Sequence, residues 1–288
     1  LMSRGSVCAT LADGRFACAR CHARAVDDIE EARRLYREVT AFFGKSMGLP
    51  MPLGSTELCI ELLDRDALLH KMSTRLSRGH MCCPLGLTCT EELTSTATGQ
   101  VLPESRRIKS ISIVTHLPAD LCASTLAHEA GHVYLHLQGL DEAGSHALRD
   151  RVAEGLCELF SYLWDQSRKP SDEHDERERR RRLLVMETSS DPIYGQGFRD
   201  ALAGYRACGN SLSLLLHQVK ESGGALPRAN GPQAEMWAKQ AGRAWQGRTG
   251  AFHAVGEAPR VDSWLRARAF DESRRVRMRS TQVGGDAA

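Results

Sequence analysis

The segment AHEAGHVYLHLQG at residues 127–139 constrains this chain more than any other, because it carries two histidines four residues apart and a glutamate directly after the first. On an α-helix, residues i and i+4 lie on one face, so His128 and His132 can turn a ring nitrogen toward the same ion. Glu129 is rotated by about 100° from His128, and its carboxylate can reach a metal-bound water without binding the metal. The pattern predicts a Zn2+ site on a helix, with Glu129 as general base.

The sequence around this motif predicts a strand followed by a helix that contains the motif. The segment IKSISIVT at residues 108–115 alternates apolar residues and is rich in β-branched side chains, which predicts a strand. Pro118 and Asp120 favour the start of a helix and Gly139 its end, so the helix should have about five turns. Because a short motif also occurs by chance, this ordered context is what argues for a real site.

A second predicted helix offers the third metal ligand. The segment DRVAEGLCELFSYLWDQ at residues 150–166 is apolar over most of its surface, with a polar stripe that contains Glu154 and Glu158. Glu154 follows His132 by 22 residues, which is enough chain for a turn and an antiparallel return. Alternatively, Glu154 only stabilises the helix N-terminus by its charge, an effect of about 0.3–1 kcal/mol. We predict Glu154 as a ligand and Glu158 as the residue that orients a ligand histidine.

This ligand set predicts hydrolytic chemistry. Two imidazoles and one carboxylate leave a fourth zinc position for water, whose pKa falls to about 7 on the ion. Glu129 would accept the water's proton and return it to the leaving nitrogen. Tyr194, in the segment DPIYGQGFR, is predicted to donate to the oxyanion, the alternative being that it packs a loop against the core. The strand at residues 108–115 is predicted as the edge where an extended substrate pairs.

The ten cysteines favour metal ligands and buried thiols over disulfides. Cys18 and Cys21 have the spacing with which two thiolates bind one zinc ion, but a closed structural site needs four ligands. Cys8 and His22 could complete this possible structural zinc site, or the missing ligands lie before Leu1, where we expect an upstream segment. Unliganded thiols are the alternative.

Charge and hydropathy limit the partners. The formal net charge is +2, from 38 basic and 36 acidic residues, which predicts no nucleic-acid binding. No apolar stretch approaches the roughly 20 residues that span a bilayer, and the first residues lack the apolar segment of a secretory signal. We therefore expect an intracellular protein, in the cytoplasm or nucleus, with no membrane partner. The charge run SDEHDERERRRR at residues 171–182 predicts a solvated loop or helix end.

The remaining segments are predicted to be mainly helical. Periodicity predicts a helix from Ile29 to Phe43 that stops at Gly44, and a strand in residues 56–64 followed by a short helix that Asp64 caps. Residues 77–107 are predicted to form a polar loop, and residues 192–210 and 211–224 two further helices. The residues beyond Arg228 are predicted to form a partly ordered tail.

Four segments follow one another along the chain: DGRFACARCHARAVDD, AHEAGH, AEGLCELFSYLW and DPIYGQGFR. Segments of this kind in this order resemble the DA-one type peptidases, the ubiquitin-activated LIM-domain peptidases that restrain plant organ growth. The resemblance covers roughly residues 13–227. It implies an α+β fold, with a zincin-like metallopeptidase domain that is mainly helical with a small sheet. The predicted parts are the C-terminal remnant of a LIM zinc module at residues 1–24, the peptidase domain at 25–230 and the tail at 231–288. Cys18 and Cys21 would be the final ligand pair of the LIM module.

The same resemblance implies a function. It predicts a zinc-dependent endopeptidase of the gluzincin type that cleaves protein substrates of the ubiquitin pathway, with ubiquitin or ubiquitin ligases as partners. The alternative class is a LIM-type adaptor or binding protein with an inactive peptidase-like body. Glu129 distinguishes the two classes, because a scaffold that only needs zinc has no requirement for a carboxylate at that position.

Overall fold

The computed structural model describes residues 8–51, 58–73, 84–91, 105–140 and 150–227. Within these ranges the chain is mostly helical with small sheets, which confirms the α+β class. The strands are β1 Cys8–Thr10, β2 Phe16–Cys18, β3 Ala25–Val26, β4 Ile60–Leu63, β5 Gly86–Glu91, β6 Arg107–Val114 and β7 Leu117–Pro118. The helices are α1 Ala19–Ala23, α2 Ile29–Ser46, α3 Arg65–Ser73, α4 Ala119–Leu137, α5 Asp150–Ser167, α6 Glu173–Thr188, α7 Tyr194–Ala207 and α8 Leu212–Glu221.

Helix α4, which carries the HExxH segment, lies at the centre of the core. It contacts α2, α5 and the strands β5 and β6, and most of its residues are buried. The predicted signals hold, because Pro118 precedes the first turn and Gly139 ends the helix with a φ of 67° that suits glycine. The motif therefore lies on a helix that is packed against other helices and strands on several sides.

A three-stranded sheet lies against α4, in the order β4-β6-β5. β6 pairs parallel with β4 and antiparallel with β5, and its residues Ile111 and Ile113 are completely buried. The strand predicted at residues 108–115 is thus present, but it is the central strand. The prediction that it forms the substrate edge is wrong, since both of its sides are already hydrogen-bonded.

Strand β5 lies inside the segment that was predicted as a polar loop. Its residues Gly86 to Glu91 pair with β6, and Cys89 is buried while its neighbours are only partly covered. The prediction failed because threonines and one glutamate hide the alternation of a half-buried strand, whose stability comes from pairing with β6. Among the described residues β5 has no partner on its other side, so it is an edge of this sheet.

One predicted helix extends beyond its expected end, and two others form where they were predicted. α2 passes through Gly44 and ends only before Gly48, whose φ of 63° suits the left-handed stop position. α3 follows Asp64, whose carboxylate accepts a hydrogen bond from the amide of Ala67 at 2.7 Å, as predicted. α8 forms within the predicted residues 211–224.

The charge run at residues 171–182 is part of a regular helix, α6, and not a solvated loop or helix end. Asp172 caps it by accepting hydrogen bonds from the amides of His174 at 2.8 Å and Asp175 at 3.1 Å. Glutamate–arginine pairs three and four residues apart follow along the helix. Arg182 donates two hydrogen bonds to the buried carboxylate of Asp165 in α5, at 2.9 and 3.1 Å. This buried ion pair fixes the helix on the core.

Glycines bring α5 and α7 into close contact. A Cβ atom at Gly155 would lie 2.2 Å from the carbonyl carbon of Gly197, and a Cβ at Gly197 would lie 2.2 Å from the carbonyl oxygen of Arg151. α7 begins at Tyr194, within the predicted residues 192–210, and Asp191 accepts a hydrogen bond from the amide of Tyr194 at 2.8 Å. Only glycine at both crossing positions permits this approach.

We predict that Gly155→Ala lowers the free energy of unfolding by about 1–3 kcal/mol, because the new methyl group meets backbone that cannot move aside. Chemical denaturation of the purified chain measures the change. Gly44→Ala in α2 is the matched control, since a Cβ there meets nothing within 4 Å and the helix should gain about 0.5–1 kcal/mol. Equal stability of Gly155→Ala and the wild type would show that α7 does not press on α5 in this way.

The division into a LIM remnant, a peptidase domain and a tail stays a prediction, and residues 231–288 lie outside the described ranges. In the part of the chain that the structure describes, no helix combines the length and apolar character needed to cross a membrane.

Candidate metal centre

Helices α4 and α5 bring three of the predicted ligands together. Nε2 of His128 lies 3.2 Å from Nε2 of His132. Oε2 of Glu154 lies 3.2 Å from Nε2 of His128 and 3.5 Å from Nε2 of His132. The three atoms therefore form a nearly equilateral triangle, built from one turn of α4 and the first turns of α5.

This triangle has the size of one face of a tetrahedral zinc site. Zinc binds nitrogen and oxygen at about 2.0–2.1 Å, so neighbouring ligand atoms of a regular tetrahedron lie about 3.3–3.4 Å apart. Oε2 of Glu154 is buried and makes no hydrogen bond of good geometry, although it faces both imidazoles. A buried carboxylate oxygen without a hydrogen bond is costly unless a cation meets it, so the residues present fit a zinc ion.

The contacts among these groups favour protonated histidines and an ionised Glu154. Burial alone would lower the pKa of His128, but contacts with Glu154 and Glu158 raise this pKa well above its ordinary value. Burial would likewise raise the pKa of Glu154, but the neighbouring charge of His132 and the contact with His128 bring it far below its usual range. The chain thus balances a buried carboxylate with imidazolium, and metal binding would displace these protons.

Glu129 points from α4 toward strand β5 and lies beside the ligand triangle without being part of it. Its side chain is only 4% exposed, and its Oε2 accepts a hydrogen bond from Oγ1 of Thr88 at 2.7 Å. A Cβ atom at Gly86 would lie 2.5 Å from Oε1 of Glu129. Burial lowers the pKa of His132, but the charge of Glu154 and, to a smaller extent, that of Glu129 raise it above its ordinary value. Strand β5 therefore fixes this carboxylate next to the site.

Neither Thr88 nor Gly86 was singled out from the sequence. Both lie in the segment that was predicted as a loop, and each contacts Glu129 only because β5 packs on α4. The one available signal was weak: a glycine and a threonine two residues apart, which lie on one face of a strand once the strand is known.

Glu158 contacts the other nitrogen of a ligand histidine. Its Oε1 lies 3.4 Å from Nδ1 of His128, while Nε2 of the same ring faces Glu154. A carboxylate on the outer nitrogen of an imidazole fixes the tautomer and the orientation in which the inner nitrogen can bind a metal. The geometry suits the orienting role expected for Glu158.

We predict that Glu158→Gln weakens zinc binding about 10- to 100-fold, since the amide keeps the shape but loses the charge that holds His128. Competition with a chromophoric chelator measures the affinity. Glu173→Gln is the control, because the side chain of Glu173 is 94% exposed at the start of α6. Zinc affinity that is equal in both variants would exclude this role for Glu158.

Cys157 also approaches the two histidines but differs from Glu154 in its chemistry. Its Sγ and one ring nitrogen each of His128 and His132 lie within 4.8 Å of one another. Burial raises the pKa of this thiol well above its ordinary value, which favours the uncharged form, whereas the ionised Glu154 places its Oε2 at 3.2 and 3.5 Å from the two ring nitrogens. A Cβ atom at Gly131 would lie 2.9 Å from Sγ of Cys157. Cys157 therefore serves as packing between α4 and α5, as expected of a core residue.

Cys18 and Cys21 lie together at the start of the described chain. Cys18 ends the β1–β2 hairpin and its Sγ accepts a hydrogen bond from the amide of Cys21 at 3.4 Å. That backbone hydrogen bond lowers the pKa of Cys18, whereas burial raises the pKa of Cys21 to about 11. Among the described residues, the group whose ligand atoms lie within 4.8 Å of one another consists of Cys18, Cys21 and His174 of α6.

The two in-chain candidates proposed from the sequence are not in this group. Cys8 lies opposite Cys18 in the hairpin and His22 is exposed on α1, yet the structure brings neither into the cluster. His174 was missed because it follows Cys21 by 153 residues and lies in the charge run, where nothing distinguishes it from a solvated histidine.

Tyr194 is half-buried at the first position of α7. Its backbone amide is held by Asp191, as described for the start of that helix. The assignment of its hydroxyl as an oxyanion donor stays a prediction.

Fold and site together define the class: an α+β protein whose central helix and the helix after it present a candidate zinc centre of two histidines and one glutamate. Comparison with known proteins shows what the chain is similar to. Residues 71–183, which include His128, His132 and Glu154, match the family model DA1-like, described as Protein DA1. This match supports the DA1 family, to which the resemblance had pointed.

Curated relatives agree with this assignment. LIM domain-containing protein HDR3 of Oryza sativa subsp. japonica is 30% identical over 177 residues, which are 55% of this chain and 33% of the relative. Protein DA1-related 2 of Arabidopsis thaliana is 29% identical over 181 residues, 57% of this chain and 33% of the relative. Protein DA1 of the same plant is 26% identical over 230 residues, 66% of this chain and 41% of the relative. The chain thus spans about a third of the length of the first two relatives. No solved structure matches it.

Proposed function

We propose that this chain is a zinc-dependent endopeptidase of the gluzincin type, with a zincin-like domain that cleaves protein substrates by metal-activated water. One observation carries the proposal: the ligand atoms of His128, His132 and Glu154 lie 3.2–3.5 Å apart, with Glu129 held beside them. A helix that only happened to carry histidines would not need a buried carboxylate from the next helix to converge on both rings.

The residues present divide the work of hydrolysis. His128, His132 and Glu154 would hold the ion, which supplies a water of lowered pKa and polarises a carbonyl group. Glu129 accepts the proton of the attacking water on its carboxylate and returns it to the leaving nitrogen. Thr88 donates to Oε2 of Glu129 and so keeps the carboxylate in one orientation between these two transfers.

The edge strand β5 supports an extended peptide as substrate. Thr88 contacts Glu129 from this strand, and the outer side of β5 has no partner among the described residues. A peptide that added to this edge by main-chain hydrogen bonds would run past the carboxylate of Glu129. This replaces the expectation that β6 binds the substrate.

The family supports two further parts of the proposal. One relative is named a LIM domain-containing protein, and Cys18 and Cys21 have the C-x2-C ligand spacing that such zinc modules use. Proteins of the ubiquitin pathway are the proposed substrates, and ubiquitin or ubiquitin ligases the proposed partners, because the family resemblance implies them.

The proposal is tested by metal-dependent cleavage. The purified chain is incubated alone, with unfolded model proteins and with ubiquitinated proteins, and products are identified by mass spectrometry. We expect peptide bonds to be cut, the reaction to stop on chelation and to resume on addition of zinc. Silence of the zinc-loaded chain on every substrate, including itself, would favour the alternative, a LIM-type adaptor with an inactive peptidase-like body.

A further inference from the structure

A second cluster of metal-binding side chains joins the start of the chain to helix α6. Cys18 is the last residue of β2, Cys21 lies in α1, and His174 lies in the first turn of α6. Their ligand atoms lie within 4.8 Å of one another. Residues so far apart in the chain come this close only because the tertiary fold holds them there.

His174 has an unsatisfied atom in this cluster. The side chain is 28% exposed as a whole, yet its Nδ1 is buried and has no hydrogen-bond partner. Oδ1 of Asp175 lies 3.8 Å from this nitrogen, too far for a hydrogen bond, and accepts from Arg24 at 2.5 Å instead. Buried polar atoms in native proteins are normally paired, so a bound species is the simplest account of this nitrogen.

Ion pairs on both sides fix His174 relative to the cysteines. Arg20 pairs with Asp172, and Arg24 pairs with Asp175. Arg20 precedes Cys21 in α1 and Arg24 caps the end of that helix, while Asp172 caps the start of α6 and Asp175 follows His174. The first turn of α6 is therefore held against α1 in a defined register before any metal binds.

We propose that Cys18, Cys21 and His174 bind one zinc ion that joins the opening segment to α6. Two thiolates at C-x2-C spacing and one imidazole are ligands that zinc favours, and three protein ligands can leave a fourth position to water. Within each of the two ion pairs the charges of arginine and aspartate cancel. The negative charge of the thiolates is therefore left to balance the cation. This site does not depend on the peptidase activity proposed above, because it shares no residue with the centre on α4 and α5.

The site would also connect the opening segment to the active helix. α6 is held by the ion pair of Arg182 with Asp165, and the same carboxylate accepts a hydrogen bond from Ser124 of α4 at 3.1 Å. A metal that fixes α1 on α6 thus stabilises a packing arrangement that reaches the helix with His128.

Cobalt binding to the intact, reduced, zinc-free chain tests the proposal, because thiolate-to-cobalt charge transfer gives a near-ultraviolet band. We expect this band in the wild type and its loss in Cys18→Ser, which assigns it to this cluster. His174→Asn should weaken cobalt binding at this band by more than about 100-fold, beyond the 10- to 100-fold that loss of a residue that only orients a ligand costs. His22→Asn is the matched control, because His22 follows Cys21 directly but is exposed and outside the cluster.

A rescue variant keeps the test decisive if His174→Asn folds poorly. His174→Cys supplies a third thiolate from the same position, so it should restore tight binding and strengthen the band. Absence of the band in the wild type would overturn the proposal. So would equal affinity and spectra for His174→Asn and His22→Asn, which would mean that His174 is no ligand. Either result would leave the proposed centre at His128, His132 and Glu154 untouched.

Discussion

Replacement of Glu129 by glutamine should leave zinc bound and slow cleavage by about 10²- to 10⁴-fold. The carboxylate is not part of the ligand triangle, so the three metal contacts survive. An amide has the same size, and its oxygen can still accept the hydrogen bond that Thr88 donates to Oε2 at 2.7 Å. What the amide cannot do is accept the proton of the attacking water.

Zinc content, melting temperature and cleavage rate are measured together on Glu129→Gln and the wild type. Thr88→Val is the matched control, because it removes the donor on β5 but leaves the base itself; it should slow cleavage less than Glu129→Gln does. If Glu129→Gln cleaves as fast as the wild type with the same zinc content, Glu129 is not the base. If both proteins are inactive on every substrate, the adaptor alternative gains.

The spacing of the ligand residues could be predicted from sequence because it follows from helix geometry. His128 and His132 share a face of any α-helix, and Glu154 heads the polar stripe of the next helix. Local rules of this kind do not depend on how the rest of the chain folds. The position of Glu129 beside these ligands follows from the same geometry.

The contacts that hold the site in place could not be predicted in this way. Thr88 meets Glu129 only after β5 has paired with β6, and β5 is hidden in a polar segment. For the same reason the sequence did not indicate His174, which is far from Cys21 in the chain but close to it in the fold. Such pairs depend on tertiary packing, which leaves no periodic trace in a single sequence.

Helix α6 shows how charge patterns mislead at the level of the fold. Its arginines and glutamates suggested a solvated segment, but the cap at Asp172 and the ion pair between Arg182 and Asp165 make it a fixed helix. The pattern contained both the cap and the pairs three and four residues apart. It did not show that one arginine would be buried against α5.

Small residues within the HExxH segment explain how α5 comes close enough to supply Glu154. Ala130 and Gly131 lie between the two histidines, and both are buried. A Cβ atom at Gly131 would lie 3.0 Å from the backbone Cα of Cys157, which is one turn beyond Glu154. A bulkier side chain here would push α5 outward and open the ligand triangle.

The ligands should fail in a different manner from the base. Removal of any one of three protein ligands, by His128→Ala, His132→Ala or Glu154→Ala, should release the zinc of this centre and abolish cleavage. Zinc present at about a thousandfold excess over its Kd stabilises a folded protein by about 4 kcal/mol. We therefore expect zinc to raise the melting temperature of the wild type by more than that of each variant. A second zinc at the cysteine cluster would raise the melting temperature of all these proteins equally and so would not change this difference.

The comparison with and without zinc separates metal loss from damage to the fold. His217→Asn is the matched control, because His217 is exposed on α8, and it should keep the full effect of zinc on the melting temperature. Zinc content is counted on the same samples, where each ligand variant should lose one ion relative to the control. A zinc content that Glu154→Ala leaves unchanged would remove Glu154 from the ligand set, and with it the gluzincin assignment, because the two histidines would then hold the metal with some other third group.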